Sequence, residues 1–182
     1  ERAWVLGPGL LQILDFLERW NREREDWRGL ESILNRMASG TRDRAALVNL
    51  ELRLAQLHLI HFGDSTQAVA ALEKALETVV KRHEILRTTI PMIDGEPKQK
   101  VHGFAETGFR VQQIDLSDRD KPEETAREIA DQEGITPFNL EEGPLLRVKL
   151  LQVEDRKYIL LFTMHHIAAD GWSMIVILNE VL

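Results

Sequence analysis

The residues best suited to chemistry stand near the end of the sequence, in the run Met164-His165-His166-Ile167-Ala168-Ala169-Asp170-Gly171-Trp172-Ser173. The run follows an apolar stretch with strand character, Tyr158 to Met164. It precedes a segment, Trp172 to Leu182, that reads as a helix. Adjacent residues on a strand point to opposite faces, so only one of His165 and His166 can face a given cleft. The other packs inward or hydrogen-bonds to fix the turn. An imidazole has an unperturbed pKa of about 6.5, so a displayed histidine can accept a proton near neutral pH. Asp170 lies four residues past His166. It could orient the imidazole as in a triad, or hold the loop by pairing with a cation elsewhere. Gly171 allows a backbone angle that a side chain resists. Two plainer readings stand beside this one. The first is a buried histidine pair satisfied by backbone carbonyls. The second is a metal site, the weaker of the two, since His-His-x3-Asp offers at most two convergent ligands and no ligand cluster is evident nearby.

The elements that would position this run begin after about residue 84. Leu86 to Ile93 is apolar and β-branched and reads as a strand, closed by the turn signal Asp94-Gly95. Val101 and Phe109 to Ile114 suggest further strands. Glu123 to Glu133 has the pattern of a charged amphipathic helix, opened by Lys121-Pro122 and closed by Gly134. Pro144 to Val153 and Tyr158 to Met164 read as strands joined at Asp155-Arg156, a pair without the glycine most two-residue hairpins favour. Strands alternating with helices make this part an α/β or α+β lobe.

The first third has a different texture. Apolar residues recur at helical spacing from Leu10 to Trp20, Leu30 to Met37, Leu47 to Leu57 and Ala68 to Val79. Breaks at Gly7-Pro8-Gly9, Asp26, Ser39-Gly40-Thr41 and Gly63-Asp64-Ser65 predict four helices, as two antiparallel pairs. Asp26, Leu30, Leu34 and Met37 line up with Asp64, Ala68, Leu72 and Ala75 at an offset of 38 residues. Ala46 to Glu77 resembles a tetratricopeptide repeat, and a plain antiparallel helical bundle is the alternative.

Composition narrows the field of functions. The 182 residues are 43% hydrophobic and 29% charged, a globular balance. A net charge of -7 argues against binding nucleic acid phosphates. With no cysteine, thiolate nucleophiles, disulfides and zinc-cysteine sites are excluded. No apolar run approaches the roughly 20 residues that span a bilayer, and the start carries no secretion pattern, so a cytoplasmic protein is expected.

Three segments together resemble the condensation domains of nonribosomal peptide synthetases. His165-His166-Ile167-Ala168-Ala169-Asp170-Gly171 is similar to their HHxxxDG motif. Arg82-His83-Glu84-Ile85-Leu86-Arg87-Thr88 resembles their RHExLRT motif, and Pro137-Phe138-Asn139-Leu140-Glu141-Glu142-Gly143-Pro144-Leu145-Leu146-Arg147 their PFDLxxGPLLR segment. The resemblance covers about residues 70–182 and implies the front part of a chloramphenicol-acetyltransferase-like lobe. The expected whole is an α+β chain, with tetratricopeptide-like hairpins over 1–69 and a partial lobe over 70–182.

In that family an aminoacyl nitrogen attacks an acyl thioester, and an amide forms as the thiol leaves. The resemblance implies that His166 acts as base or positions the amine, and that the Gly171 amide stabilises developing negative charge. Such a donor is worth about 3 kcal/mol. His165 would be structural, and Asp170 would hold the loop through Arg87. Trp172 and Ser173 could line the pocket, although Trp172 suits a core equally. Without the family, Arg87 reads as a surface arginine and His83 and Glu84 as solvated or capping groups. His58, His61 and His102 receive no role. No cofactor is expected to bind directly, since the substrates ride on the phosphopantetheine of carrier proteins, the expected partners. Ester-forming relatives share the HxxxDG core. Epimerisation domains share the HHxxxDG motif, but their upstream segment reads differently from His83 to Thr88. The chain ends 11 residues after Gly171, so the isolated chain, without a second lobe, is expected to be inactive. The rival function is a helical-repeat interaction module with a catalytically silent lobe.

Overall fold

Three aspartates start three of the four helices that open the chain. In the computed structural model, which describes residues 8–168, these are α1 (Pro8–Arg24), α2 (Trp27–Gly40), α3 (Arg44–Leu57) and α4 (Ser65–Arg82). Asp26 Oδ1 accepts from the Gly29 amide at 2.9 Å and Asp43 Oδ1 from the Ala45 amide at 3.0 Å. Asp64 Oδ1 accepts from the Gln67 amide at 3.0 Å. Each carboxylate satisfies amides that a helix start leaves unpaired. The chain divides into two units, one running to Thr78 and the other beginning at Val79. Within the first, Leu30, Leu34, Leu50, Leu54, Leu57, Leu72 and Leu76 are buried. Between α3 and α4 the helix widens into a π-helical turn, His58–Phe62, a feature without a periodicity signal of its own. Gly63 closes it in the left-handed conformation (φ 62°), where its lack of a Cβ matters. Among the described residues no helix is long and apolar enough to cross a membrane.

The second unit holds the sheets. The expected strand over Leu86–Ile93 is instead three pieces: a 3-10 turn at Glu84–Arg87, β1 (Thr88–Thr89) and β2 (Met92–Ile93). Pro91 has no amide to give a ladder and restrains Ile90 before it. The Ile90 amide donates to the Leu140 carbonyl at 2.6 Å, outside any strand pair. β2 turns back on β3 (Glu96–Pro97) through Asp94 and Gly95, both at positive φ (54° and 80°), the geometry of a twisted two-residue hairpin. β1 pairs antiparallel with β4 (Lys100–Val101).

The main sheet has the order β5-β6-β7, from Val111–Asp115, Leu146–Glu154 and Lys157–Met164. β5 runs parallel to β6, and α5 (Pro122–Ile135) lies between them in sequence. Pro122 opens α5, and Glu123 and Glu124 sit where the helix dipole favours negative charge. β6 and β7 are antiparallel, with one extra residue, Val153, between the pairs Gln152–Tyr158 and Glu154–Lys157. Asp155 and Arg156 both keep negative φ, so the turn is not of the glycine type. The bulge adds the local twist that such a turn lacks.

One face of β6 alternates Arg147, Lys149 and Leu151, and α5 covers it in matching steps. Leu151 and Val153 are fully buried with Ala126 and Leu116, and Ile129, Ile159 and Leu161 pack around them. One turn further along α5, Glu133 is only 5% exposed and pairs with both Arg147 and Lys149. Burial pushes the Glu133 carboxyl up, but its hydrogen bonds to Lys149 and Arg147 outweigh burial and hold it below the usual carboxylate range.

α5 does not end at Gly134 as the glycine suggests; it continues through Ile135. Its last carbonyls have another partner. Arg147 Nη2 donates to the Thr136 carbonyl at 2.9 Å and the Glu133 carbonyl at 3.3 Å. A guanidinium from the neighbouring strand thus does the work that a C-terminal glycine often does.

Two outcomes follow for stability. Leu151→Ala removes a fully buried side chain and is expected to cost about 2–5 kcal/mol in urea unfolding. Glu133→Gln is expected to destabilise the chain at neutral pH. A depressed folded-state pKa gives stability above the unfolded carboxylate value of about 4.3, lost as pH falls through the folded value. The gap between wild type and variant should therefore close below about pH 4, as read from melts across pH.

Candidate functional site

The histidine pair sits where β7 leaves the sheet. Met164, the last strand residue, is buried and pairs with Leu146. The His165 amide then donates to the carbonyl of Leu145, the residue just before β6, at 3.1 Å. Beyond it the chain turns, and His165 itself builds the turn. Its carbonyl accepts from the Ala168 amide at 2.9 Å, and its ring Nδ1 accepts from the Ile167 amide at 3.0 Å. A backbone amide can only donate, so Nδ1 is a bare acceptor and the proton of a neutral ring lies on Nε2. His165 is half-buried. Its ring meets that of Phe138 edge to face, with centroids 5.6 Å apart and planes at 80°.

His166 has the opposite setting. Its neighbours on either side are held by the turn, while it is exposed, as is Ile167. The arrangement leaves one imidazole committed to the backbone and one able to meet a substrate. Asp170, Gly171, Trp172 and Ser173 lie outside the described residues.

Arg87 closes the 3-10 turn Glu84–Arg87, rather than standing in a strand. Its Nη1 donates to the His102 carbonyl at 2.7 Å and its Nη2 to Glu84 at 3.0 Å. The His102 amide returns a bond to the Arg87 carbonyl at 2.9 Å. The His102 ring reaches Thr89 Oγ1 at 2.7 Å through Nε2, and Glu106 lies 3.4 Å from its Nδ1. Arg87 Nε is buried and has no hydrogen-bond partner among the described residues. Arg87 is therefore anchored by its tips, while its buried Nε is not. Its hydrogen bonds go to Glu84 and His102, so among the described residues the structure joins His165 to His166 in one turn and keeps Arg87 in a separate cluster.

Three residues to which sequence patterns assign no role, Phe138, Arg147 and Glu133, prove central to the geometry. Phe138 lies against His165 and carries the Arg147 guanidinium on its ring, 3.7 Å from the centroid. Arg147 is held by Glu133 and by the Thr136 and Pro137 carbonyls. A signal was present, since Phe138 and Arg147 both belong to the segment Pro137–Arg147, but no periodicity links positions so far apart to a histidine turn.

Among known proteins, the family model described as the Condensation domain matches residues 59–182. A linear gramicidin synthase of Brevibacillus parabrevis is 44% identical over 117 residues, which are 62% of this chain and 1% of that protein. Bacitracin synthase 2 of Bacillus licheniformis is 38% identical over 112 residues, 62% of this chain and 4% of that protein. Solved structures share the fold. The starter condensation domain of rhizomide synthetase matches with a TM-score of 0.54 at 26% identity, covering 60% of this chain and 26% of that one. The epimerization domain from the third module of tyrocidine synthetase B matches with a TM-score of 0.52 at 30% identity, over 58% of this chain and 24% of that one. The chain thus spans about a quarter of the solved domains and 4% or less of these two synthases. The family model covers more than half of the sequence, including the sheet and the histidine turn, and the chain is a member of the condensation domain family.

Proposed function

We propose that this chain is part of a condensation-type acyltransferase that forms amide bonds between carrier-tethered acyl and aminoacyl groups in nonribosomal peptide synthesis. The observation that carries the reading is the unequal histidine pair: His165 spends its Nδ1 and carbonyl on the turn, while His166 stands exposed beside it. In the reaction the aminoacyl nitrogen attacks the thioester carbonyl, a C–N bond forms, and the C–S bond breaks to release the carrier thiol. His166 accepts the amine proton or orients the amine. His165 holds the turn.

Asp170 would meet the Nε of Arg87, which has no partner among the described residues, and so tie the loop to the Glu84–Arg87 turn. That buried donor supports the pairing. The Gly171 amide would face the developing oxyanion, and Trp172 and Ser173 would shape the pocket. The substrates arrive on phosphopantetheine arms, so carrier protein domains are the partners in this reading, and the compartment is the cytoplasm. Residues 70–182 form the partial lobe of this proposal. Residues 1–69 form a tetratricopeptide-like segment, a reading supported by α1–α3 and by the capping aspartates Asp26 and Asp64 at the 38-residue offset.

The test is amide formation from loaded carrier proteins by the synthetase that contains this sequence. A well-placed general base contributes about 10²–10⁴-fold, so His166→Ala is expected to lower kcat by at least about a hundredfold. A variant that kept the wild-type rate would remove His166 from the chemistry.

A further inference from the structure

The ring of Phe138 contacts two planar groups. The Arg147 guanidinium lies over it, 3.7 Å from the ring centroid. The His165 ring meets it edge to face, with centroids 5.6 Å apart and planes at 80°. Arg147 has little freedom, because its Nε donates to the Glu133 carboxylate, its Nη2 to the Thr136 carbonyl at 2.9 Å, and its Nη1 to the Pro137 carbonyl at 3.2 Å. Glu133 is itself buried and pinned from its other oxygen by Lys149. The plane of the guanidinium is therefore set by α5 and the segment behind it. The plane of Phe138 follows from that, and His165 rests on Phe138.

The same His165 ring also carries the turn. Its Nδ1 takes the Ile167 amide at 3.0 Å, so a rotation of the imidazole breaks the bond that shapes the backbone around His166. We infer that Phe138 and Arg147 are positioning residues for this turn, acting on His166 through the orientation of the His165 ring. The inference rests on the proposed role of His166. It assigns an electronic and planar task to the stack beyond filling space. A lysine at position 147 keeps the charge but has neither the flat face nor the fork that reaches two carbonyls and a carboxylate together. A leucine at position 138 fills much of the volume but offers no aromatic face or edge.

The experiment measures steady-state amide formation by the full synthetase, with kcat and KM for the loaded carriers resolved and melting curves recorded for each variant. Small displacements of reacting groups cost about ten- to a hundredfold in rate. Phe138→Leu and Arg147→Lys are each expected to lower kcat by at least about tenfold, with KM unchanged. Phe138→Tyr, which keeps the ring, should stay near wild type. The double variant should be little worse than the poorer single variant, since both act through one ring. If Phe138→Leu folds and keeps its kcat, or if the losses in the double variant simply multiply, the inference is wrong. If Phe138→Leu does not fold, Arg147→Lys against Phe138→Tyr decides by the same criteria. His166→Ala runs alongside. Full turnover by that variant overturns the reading of the site and the inference with it, whereas its loss of turnover beside an active Phe138→Leu overturns the inference alone.

Discussion

The pairing of Arg147 with Glu133 is the constraint on which the second unit depends. It brings a strand cation and a helix anion together where Glu133 is 5% exposed. Removing one partner of such a pair leaves the other charge poorly solvated, which is costlier than losing an exposed bridge. The same guanidinium ends α5, by taking the Glu133 and Thr136 carbonyls, and stacks on Phe138. One side chain thus sets where the helix stops, how the helix lies on the central strand, and where an aromatic ring stands against His165. Lys149 shares the carboxylate and keeps the charges in the cluster from being one against one.

Beside this polar clasp the apolar layer is simple. Leu151 and Val153 on β6 meet Ala126 and Ile129 on α5, with β7 contributing Ile159 and Leu161. Helix positions 126, 129 and 133 share a face, and alternate residues of β6 share the opposing face. The layer is apolar at one end and charged at the other, and a slip of one residue would turn Arg147 and Lys149 to the other face of the sheet, away from Glu133. Register is specified by this change of character along the face as well as by the bulge at Val153.

Much of this was legible in the sequence where a local rule governs. Helix starts at Asp26 and Asp64, the Asp94-Gly95 turn, the β6–β7 hairpin and the expected α+β class are consequences of neighbours within a few positions. Where a reading failed, a distant group or a break within the segment itself overrode the apparent signal. Gly134 is a good helix stop, but Arg147 caps α5 beyond it. Leu86 to Ile93 has strand composition, yet Pro91 and the bond from Ile90 to Leu140 divide it. The π-helical turn at His58–Phe62 has no sequence pattern of its own. At the site, the adjacent histidines after an apolar stretch were visible, but their different environments come from the turn that His165 builds beyond Met164, not from alternation along a strand. Phe138, Arg147 and the His102 clasp on Arg87 were not assigned, since each joins side chains that only the tertiary fold brings together.

The central claim is that His165 is a structural histidine whose Nδ1 belongs to the Ile167 amide, and that this commitment leaves His166 for substrate. Nitrogen–proton correlation spectra of the imidazoles, recorded on the folded chain at mildly alkaline pH, report which ring nitrogen of His165 carries the proton. The account predicts a single tautomer with the proton on Nε2 and a bare Nδ1. A proton on Nδ1, or an exchange average typical of a free imidazole, would contradict it.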